Sequence, residues 1–347
     1  GKQALLSMDK DGEHKAGHRY DPTKTQHCSH CYKIGSSMKR CGRCKKRLYC
    51  SRACQMSDWK LGHKLWCGKC CELGADVEFR HTDSKGVGLF AKRDIKKGEV
   101  ILVEKPSMMG ANSLVMEFLP WALEVKTDVS NGIQTLHGDS LVKKHRFNAF
   151  GVADDSPESG LFIFLSRVNH SCVGNSHHYF NTDQGMAILG ANSNIPKDSE
   201  ITFSYAPKSK STSRKSRLEN CYEFVCKCDA CTDVNKANEL DEIISLDASI
   251  AAKVPTGKIE AALLAGKKLL KLYDRLAMSP FLYARTHYDM FQAAIAKRKL
   301  FQTARWHANQ AVKFEQMFYG GEYRFVSTKK KKFAESPRSH QNFGVCD

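Results

Sequence analysis

Between positions 28 and 67 the chain runs Cys28-x2-Cys31-x9-Cys41-x2-Cys44-x5-Cys50-x3-Cys54-x8-His63-x3-Cys67. Few folds accept such a series. Each Cys-x2-Cys pair makes a tight knuckle that presents two thiolates to one metal ion. The Cys50-x3-Cys54 and His63-x3-Cys67 pairs have the spacing of a helix turn, so each pair faces one way. Seven Cys and one His suffice for two tetrahedral sites. A segment of about forty residues cannot bury enough apolar surface to fold unaided, so zinc must supply folding free energy. The chain has 15 Cys, and residues 25–71 hold nine of them. Paired spacing, with no apolar signal segment near the start, points to zinc in a reducing compartment rather than to disulfides. The expected location is the nucleus, the cytoplasm or both.

At 347 residues the chain is too long for one small domain and suggests two or three units. No apolar run approaches the roughly 18 residues that span a bilayer, so no membrane partner is expected. The longest run, Leu161 to Leu165, is far shorter. Lys and Arg total 54 against 37 Asp and Glu, a formal charge of +17. That excess either attracts nucleic acid, acidic protein or anionic lipid, or serves solubility while zinc thiolates offset part of it.

Composition shifts divide the chain. Residues 1–24 are a polar lead-in and 25–71 the Cys-rich finger. Residues 77–206 show short apolar runs broken by Gly, Asn, Asp and Pro, the pattern of a β-rich domain. Within it about 107–160 reads as an insertion, helical near Asn112 to His145. Residues 207–217 (PKSKSTSRKSR) read as a basic loop, and 207–235 as a segment with a second Cys cluster. From 239 to 320 the period becomes helical, with Leu263, Leu264, Leu269, Leu270, Leu272 and Leu276 on one face. Ala293, Ala294, Ala304, Ala308 and Ala311 recur between aromatics, so either tetratricopeptide-like helix pairs or an ordinary bundle is expected. Residues 321–347 are a basic tail, expected to fray, whose Lys329 to Lys332 is a nuclear signal or a solvated run.

Four further segments carry polar or glycine-rich signals. Ser84-Lys85-Gly86-Val87-Gly88-Leu89-Phe90-Ala91 lets backbone approach a ligand closely. Arg167-Val168-Asn169-His170-Ser171-Cys172 offers two directional polar side chains. Glu200-Ile201-Thr202-Phe203-Ser204-Tyr205 is a β-prone run ending in a Tyr. Tyr222-x-Phe224-x-Cys226-x-Cys228-x2-Cys231 gives three metal ligands, one short of a closed site. Cys172, some fifty residues upstream, can supply the fourth. Alone, each segment also reads as a turn, a satisfied loop, a strand or a set of core side chains. Cys70, Cys71, Cys221 and Cys346 remain as free thiols.

The eight-ligand series, with Tyr49-Cys50 and the ending Trp59…His63…Cys67, resembles the MYND finger. The four later segments, in this order, resemble a SET domain with a post-SET zinc segment. The whole is similar to the SMYD family of S-adenosylmethionine-dependent protein-lysine methyltransferases, over roughly residues 26–320. That resemblance implies an α+β architecture with finger, SET domain and C-terminal helices. It also implies ligand sets that interleave: Cys28, Cys31, Cys50 and Cys54 on one zinc, and Cys41, Cys44, His63 and Cys67 on a second. Cys172, Cys226, Cys228 and Cys231 hold a third. Three features depart from the family pattern. The finger precedes Lys85 instead of following the glycine segment. Gly174 stands where Pro is usual. The helical region is short.

By the same resemblance, backbone around Lys85, Gly86, Val87 and Gly88 cradles the cofactor's methionine end. Asn169 and His170 bind its amino-acid and adenine portions, and Phe224 stacks on adenine. Phe147-Asn148-Ala149-Phe150 looks like the family's pocket strand, with Asn148 at the cofactor. Phe150, Phe203 and Tyr222 wall the lysine channel, and Tyr205 is the catalytic tyrosine, with Tyr222 beside it. Phe203 lacks the hydroxyl that would crowd a bulkier amine, so di- or trimethylation is open. Substrates are then protein lysines, with histone tails the first expectation and a monomeric chain assumed. From Cys28 to Cys67 ten Lys or Arg face one acid, Asp58. Such a finger takes a proline-rich peptide, as the family's usually do, or holds phosphates with little base readout. Two other classes compete: a peptide-binding scaffold that keeps the cages but not the Tyr and Asn-His groups, and a basic nucleic-acid binder. The presence of Asn169, His170, Tyr205 and Tyr222 favours the enzyme.

Overall fold

A computed structural model describes residues 23, 26–31, 33, 35–111, 132–152, 156–206 and 211–347. The lead-in apart from Thr23, and most of the expected helical insertion, lie outside them. No described helix is long and apolar enough to cross a membrane.

The finger is built on a two-residue ladder, β1 (Lys39–Arg40) antiparallel to β2 (Leu48–Tyr49), and a helix, α1 (Arg52–Asp58). Ser51 caps α1 by accepting the Cys54 N–H at 3.1 Å, which satisfies one orphan donor of the first turn. Buried charge knits the finger together and ties it to the segment that follows. Arg47 lies 3.1 Å from Asp58 and 3.8 Å from Glu72, and Tyr49 donates its hydroxyl to Asp58 at 2.6 Å. Trp66 is buried among Val100, Val103, Met186 and Ile188, and its indole N–H donates to Gln184 at 3.0 Å. A finger that precedes the glycine segment therefore still docks firmly on the sheets.

Three small sheets form the β-rich unit. In the first, β3 (Val77–Thr82) and β4 (Gly86–Ala91) make a hairpin, β12 (Glu200–Phe203) pairs antiparallel to β4, and β9 (Asn169–His170) pairs parallel to β12. The second orders β10 (Ser176–Asn181), β11 (Met186–Ala191) and β5 (Val100–Glu104). The third orders β6 (Met108–Ala111), β8 (Glu158–Leu161) and β7 (Ala149–Gly151), the last entered from helix α2 (Leu141–Asn148). Val77 and Phe79 of β3 alternate inward and join Leu89, Ile101, Phe162, Leu189 and Ile201 in one core. That core holds β4, β9 and β12 in register around the site.

The segment expected to be a basic loop is helical from Ser211: α3 spans Ser211–Tyr222. Leu218 is fully buried and Arg214 nearly so, and this anchoring outweighs the loop signal of the serines. Helices α4 (Val234–Lys253), α5 (Ile259–Arg275), α6 (Pro280–Ile295) and α7 (Phe301–Phe318) follow. Asp233 caps α4, and Ser279 caps α6 with Pro280 in its first turn. The expected alanines are buried, with Ala293, Ala294, Ala304 and Ala308 in a shared cluster. At Gly266 an added Cβ would lie 2.5 Å from Met290 Sδ, so α5 and α6 approach as closely as a glycine permits. The tail does not fray. It forms α8 (Thr328–Glu335), and Phe333 and His340 pack against Phe291 at ring distances of 5.8 and 5.2 Å. The Cys346 N–H closes it by donating to Ala296 O at 2.8 Å. Lys330 pairs with the buried Glu315 at 2.9 Å, so at least one lysine of the charge run is structural.

Candidate active site and metal cages

Three quartets converge: Cys28, Cys31, Cys50 and Cys54; Cys41, Cys44, His63 and Cys67; Cys172, Cys226, Cys228 and Cys231. Within each quartet the ligand atoms lie within 4.8 Å of one another. Sulfurs about 2.3 Å from a tetrahedral zinc stand about 3.8 Å apart. The observed edges match: Cys31–Cys50 3.6 Å, Cys50–Cys54 3.5 Å, Cys41–Cys67 3.9 Å, Cys172–Cys226 4.0 Å and Cys172–Cys231 3.5 Å. His63 turns its Nε2 to Cys41 at 3.3 Å and to Cys44 at 3.8 Å. Such donor sets and spacings fit zinc, which takes all four as thiolate or neutral imidazole.

The third quartet is joined to the polar site by one residue. Burial drives the His170 imidazole down to about 4, so it is neutral at pH 7. Its Nδ1 accepts the Tyr205 backbone N–H at 3.0 Å, which puts the ring proton on Nε2, 3.3 Å from Cys172 Sγ. The metal cage thus orients His170, and His170 fixes the chain at Tyr205. The stretch 169–176 also straps β12. Asn175 accepts the Thr202 N–H and donates to Glu200 O, both at 2.9 Å, and Ser176 Oγ donates to Thr202 O at 2.8 Å. At Gly174 an added Cβ would stand 2.5 Å from Phe203 Cα. The glycine found in place of the family's proline is here a site of backbone-on-backbone contact.

Tyr205 sits at the centre of an aromatic cluster. Its ring centroid is 5.1 Å from His170, 5.2 Å from Phe203, 5.0 Å from Tyr222 and 6.4 Å from Phe224. Its hydroxyl donates to Val168 O at 2.7 Å, which leaves the oxygen lone pairs for an incoming donor. Burial, reinforced by Tyr222 and Glu200, raises its pKa, so the phenol is neutral. Tyr222 ends α3, and Glu223 follows at φ 58, a left-handed cap that turns the chain toward Phe224 and the third cage. Phe150 lies 6.0 Å from Phe203, and Phe147 lies 6.5 Å from Tyr222.

The glycine segment and Asn169 meet through a residue that sequence reasoning passed over. Glu200 accepts from Asn169 Nδ2 at 2.8 Å and pairs with Lys85 Nζ at 2.8 Å. As the first residue of a β-prone run it carried only its charge as a signal. Gly88 makes room for this pair, since a Cβ there would stand 2.7 Å from Glu200 Oε1 and 2.9 Å from Asn169 Nδ2. Gly86 turns the hairpin at φ 72. Asn148 is buried, and its amide donates to His137 O and Lys144 O, each at 2.8 Å. His178, also unremarked in the sequence, packs against Phe150 and Phe203. A small cavity of about 30 Å³ lined by His27, Arg47, Asp58, Glu72, Glu104 and Phe164 shares none of these residues.

The arrangement defines a SET domain, whose family model matches residues 86–206, joined to a MYND finger, matched over residues 28–67. Histone-lysine N-methyltransferase ASHR1 of Arabidopsis thaliana is 29% identical over 239 residues, 63% of this chain and 49% of that protein. N-lysine methyltransferase SMYD2 of Homo sapiens is 27% identical over 239 residues, 63% of this chain and 54% of that protein. With both modules and these relatives, the chain is similar to proteins of the SMYD family. It spans about half the length of these curated relatives. Among solved structures, the Neurospora SET domain protein DIM-5, a histone lysine methyltransferase, is 15% identical over 37% of this chain and 51% of that one. Its TM-score of 0.26 is too low to carry an argument.

Proposed function

We propose that this chain is a protein-lysine N-methyltransferase that uses S-adenosylmethionine, acts on lysines of histones or other proteins, and carries three structural zinc ions. The observation that carries the reading is the Tyr205 hydroxyl, held by Val168 O at the centre of an aromatic cluster and joined to a metal cage through His170. The donor, when bound, supplies an electrophilic methyl group on a sulfonium. Lys85, Asn169 and the backbone of Gly86 to Gly88 hold its amino-acid end, and Phe224 stacks on its adenine. Asn148 backs the pocket from α2.

Phe150, Phe203 and Tyr222 line the path of the target lysine. An ammonium ion with an ordinary pKa near ~10.4 must lose a proton before it can attack. Aromatic walls disfavour its charged form by desolvation, so a strong general base is unnecessary. Tyr205 accepts from the amine and fixes its line of approach, and positioning of this kind supplies most of the acceleration in a displacement. The basic finger offers a surface for a proline-rich peptide or for phosphates, and neither is needed for the chemistry.

The test is transfer of a radiolabelled methyl group from S-adenosylmethionine to an array of lysine peptides from core-histone tails and other proteins. The reading predicts label on lysine side chains. Failure both to bind the donor and to label any peptide would contradict it.

A further inference from the structure

Strand β10 carries two adjacent histidines and turns them to opposite faces. His177 faces the helices. Its Nδ1 lies 2.7 Å from Asn192 Oδ1, its Nε2 lies 3.1 Å from Phe318 O, and its ring stacks on Phe318 at 4.4 Å. Both of its nitrogens are occupied. His178 faces the aromatic cluster, with ring centroids 5.0 Å from Phe150 and 4.6 Å from Phe203. It is half-buried, and among the described residues neither of its nitrogens has a hydrogen-bond partner. Burial, helped by His177, lowers its pKa to about 4, so the ring is neutral at pH 7. A neutral imidazole has one acceptor nitrogen. That acceptor is flanked by two phenylalanine rings yet not sealed from solvent, so an incoming amine N–H would take the place of water on it.

We infer that His178 is a specificity-determining wall of the lysine channel, accepting a hydrogen bond from the target amine and so limiting how many methyl groups the amine takes. This rests on the methyltransferase reading above. The phenylalanines beside it offer no acceptor. In each transfer the lone pair of the neutral amine forms the N–C bond. The donor's C–S bond breaks with its electron pair left on sulfur; after the first and second transfers one N–H proton of the product passes to solvent, and after the third the quaternary ammonium has none to lose. A neutral primary amine then has two N–H bonds, the monomethylated amine one and the dimethylated amine none. The first two transfers can therefore keep the His178 bond while the lone pair points at the methyl group. The third cannot. Phe203, without a hydroxyl, leaves room for a larger amine, and His178 supplies the restraint.

The experiment uses the full chain and the core-histone-tail peptide that the wild type labels best. Products are read by mass spectrometry for wild type, His178→Leu and His178→Asn. The wild type should accumulate mono- and dimethyl-lysine. His178→Leu removes the acceptor at similar bulk and should raise the rate of the third transfer relative to the first roughly tenfold. His178→Asn restores an acceptor and should keep the wild-type distribution. Donor affinity and zinc content should be unchanged in both. Identical product distributions in all three proteins, or an Asn variant that behaves like Leu, would overturn the role of His178. A wild type that neither binds donor nor transfers methyl would overturn the methyltransferase reading beneath it.

Discussion

Replacing Tyr205 with Phe removes one oxygen and leaves the ring among His170, Phe203, Tyr222 and Phe224. Two costs separate cleanly. The hydroxyl's bond to Val168 O is lost, and leaving a buried carbonyl unpaired costs about 1–3 kcal/mol of stability. The backbone bond from Tyr205 N to His170 Nδ1 and the Cys172 cage do not involve the hydroxyl, so fold, zinc content and donor affinity should persist. Turnover should fall far more. Deleting one preorganised polar group at a reacting centre typically lowers kcat by about 10²–10³. The assay is initial-rate methyl transfer at saturating donor and peptide, with calorimetric donor titration and thermal melting as controls. A Tyr205→Phe protein that binds donor normally and turns over within about threefold of wild type would refute the role given to the hydroxyl.

Metal analysis should find three zinc ions per chain, matching the three quartets, and two or fewer would contradict the ligand assignment. Strong chelation at neutral pH should unfold the finger, whose folding depends on its metal. His287 and His307 face each other at 2.8 Å between α6 and α7, and burial lowers their pKa values from 6.5 to about 4 and about 3. Between those limits the unfolded chain binds protons that the folded one does not, so stability rises with pH and is lost as pH falls below 6.5. His307→Gln should flatten that acid limb in melts from pH 7 to pH 4, and an unchanged slope would exclude this pair as its source.

The sequence exposes the metal cages more fully than the rest because ligand spacing is covalent information. Cys-x2-Cys knuckles and one-turn pairs survive any tertiary detail, and Cys172 is brought to 226–231 as counting suggests. The alanine-rich interface is also legible, since small residues at helical spacing permit close approach. Pairings across the fold are not. Glu200 reaches Lys85 and Asn169 only because β12 pairs with both β4 and β9, and no local pattern encodes that. His178 and His177 look alike in the sequence and are distinguished only by the faces of β10. The tail and α3 depart from the sequence expectation for one reason. Ser, Lys and Arg runs signal solvation, yet single buried anchors, Phe333 and Leu218, decide where the segments lie.

In the proposed reading, Cys172 ties the third cage, and with it Tyr222 and Phe224, to the sheets over the donor site. Calorimetric titration of S-adenosylmethionine into wild type and Cys172→Ser tests it most directly. The wild type should bind one donor per chain, and the variant, with its third cage opened beside His170, should bind more than about tenfold more weakly while the finger keeps its two metals. Equal donor affinity in the two proteins, or no binding by the wild type, would contradict it.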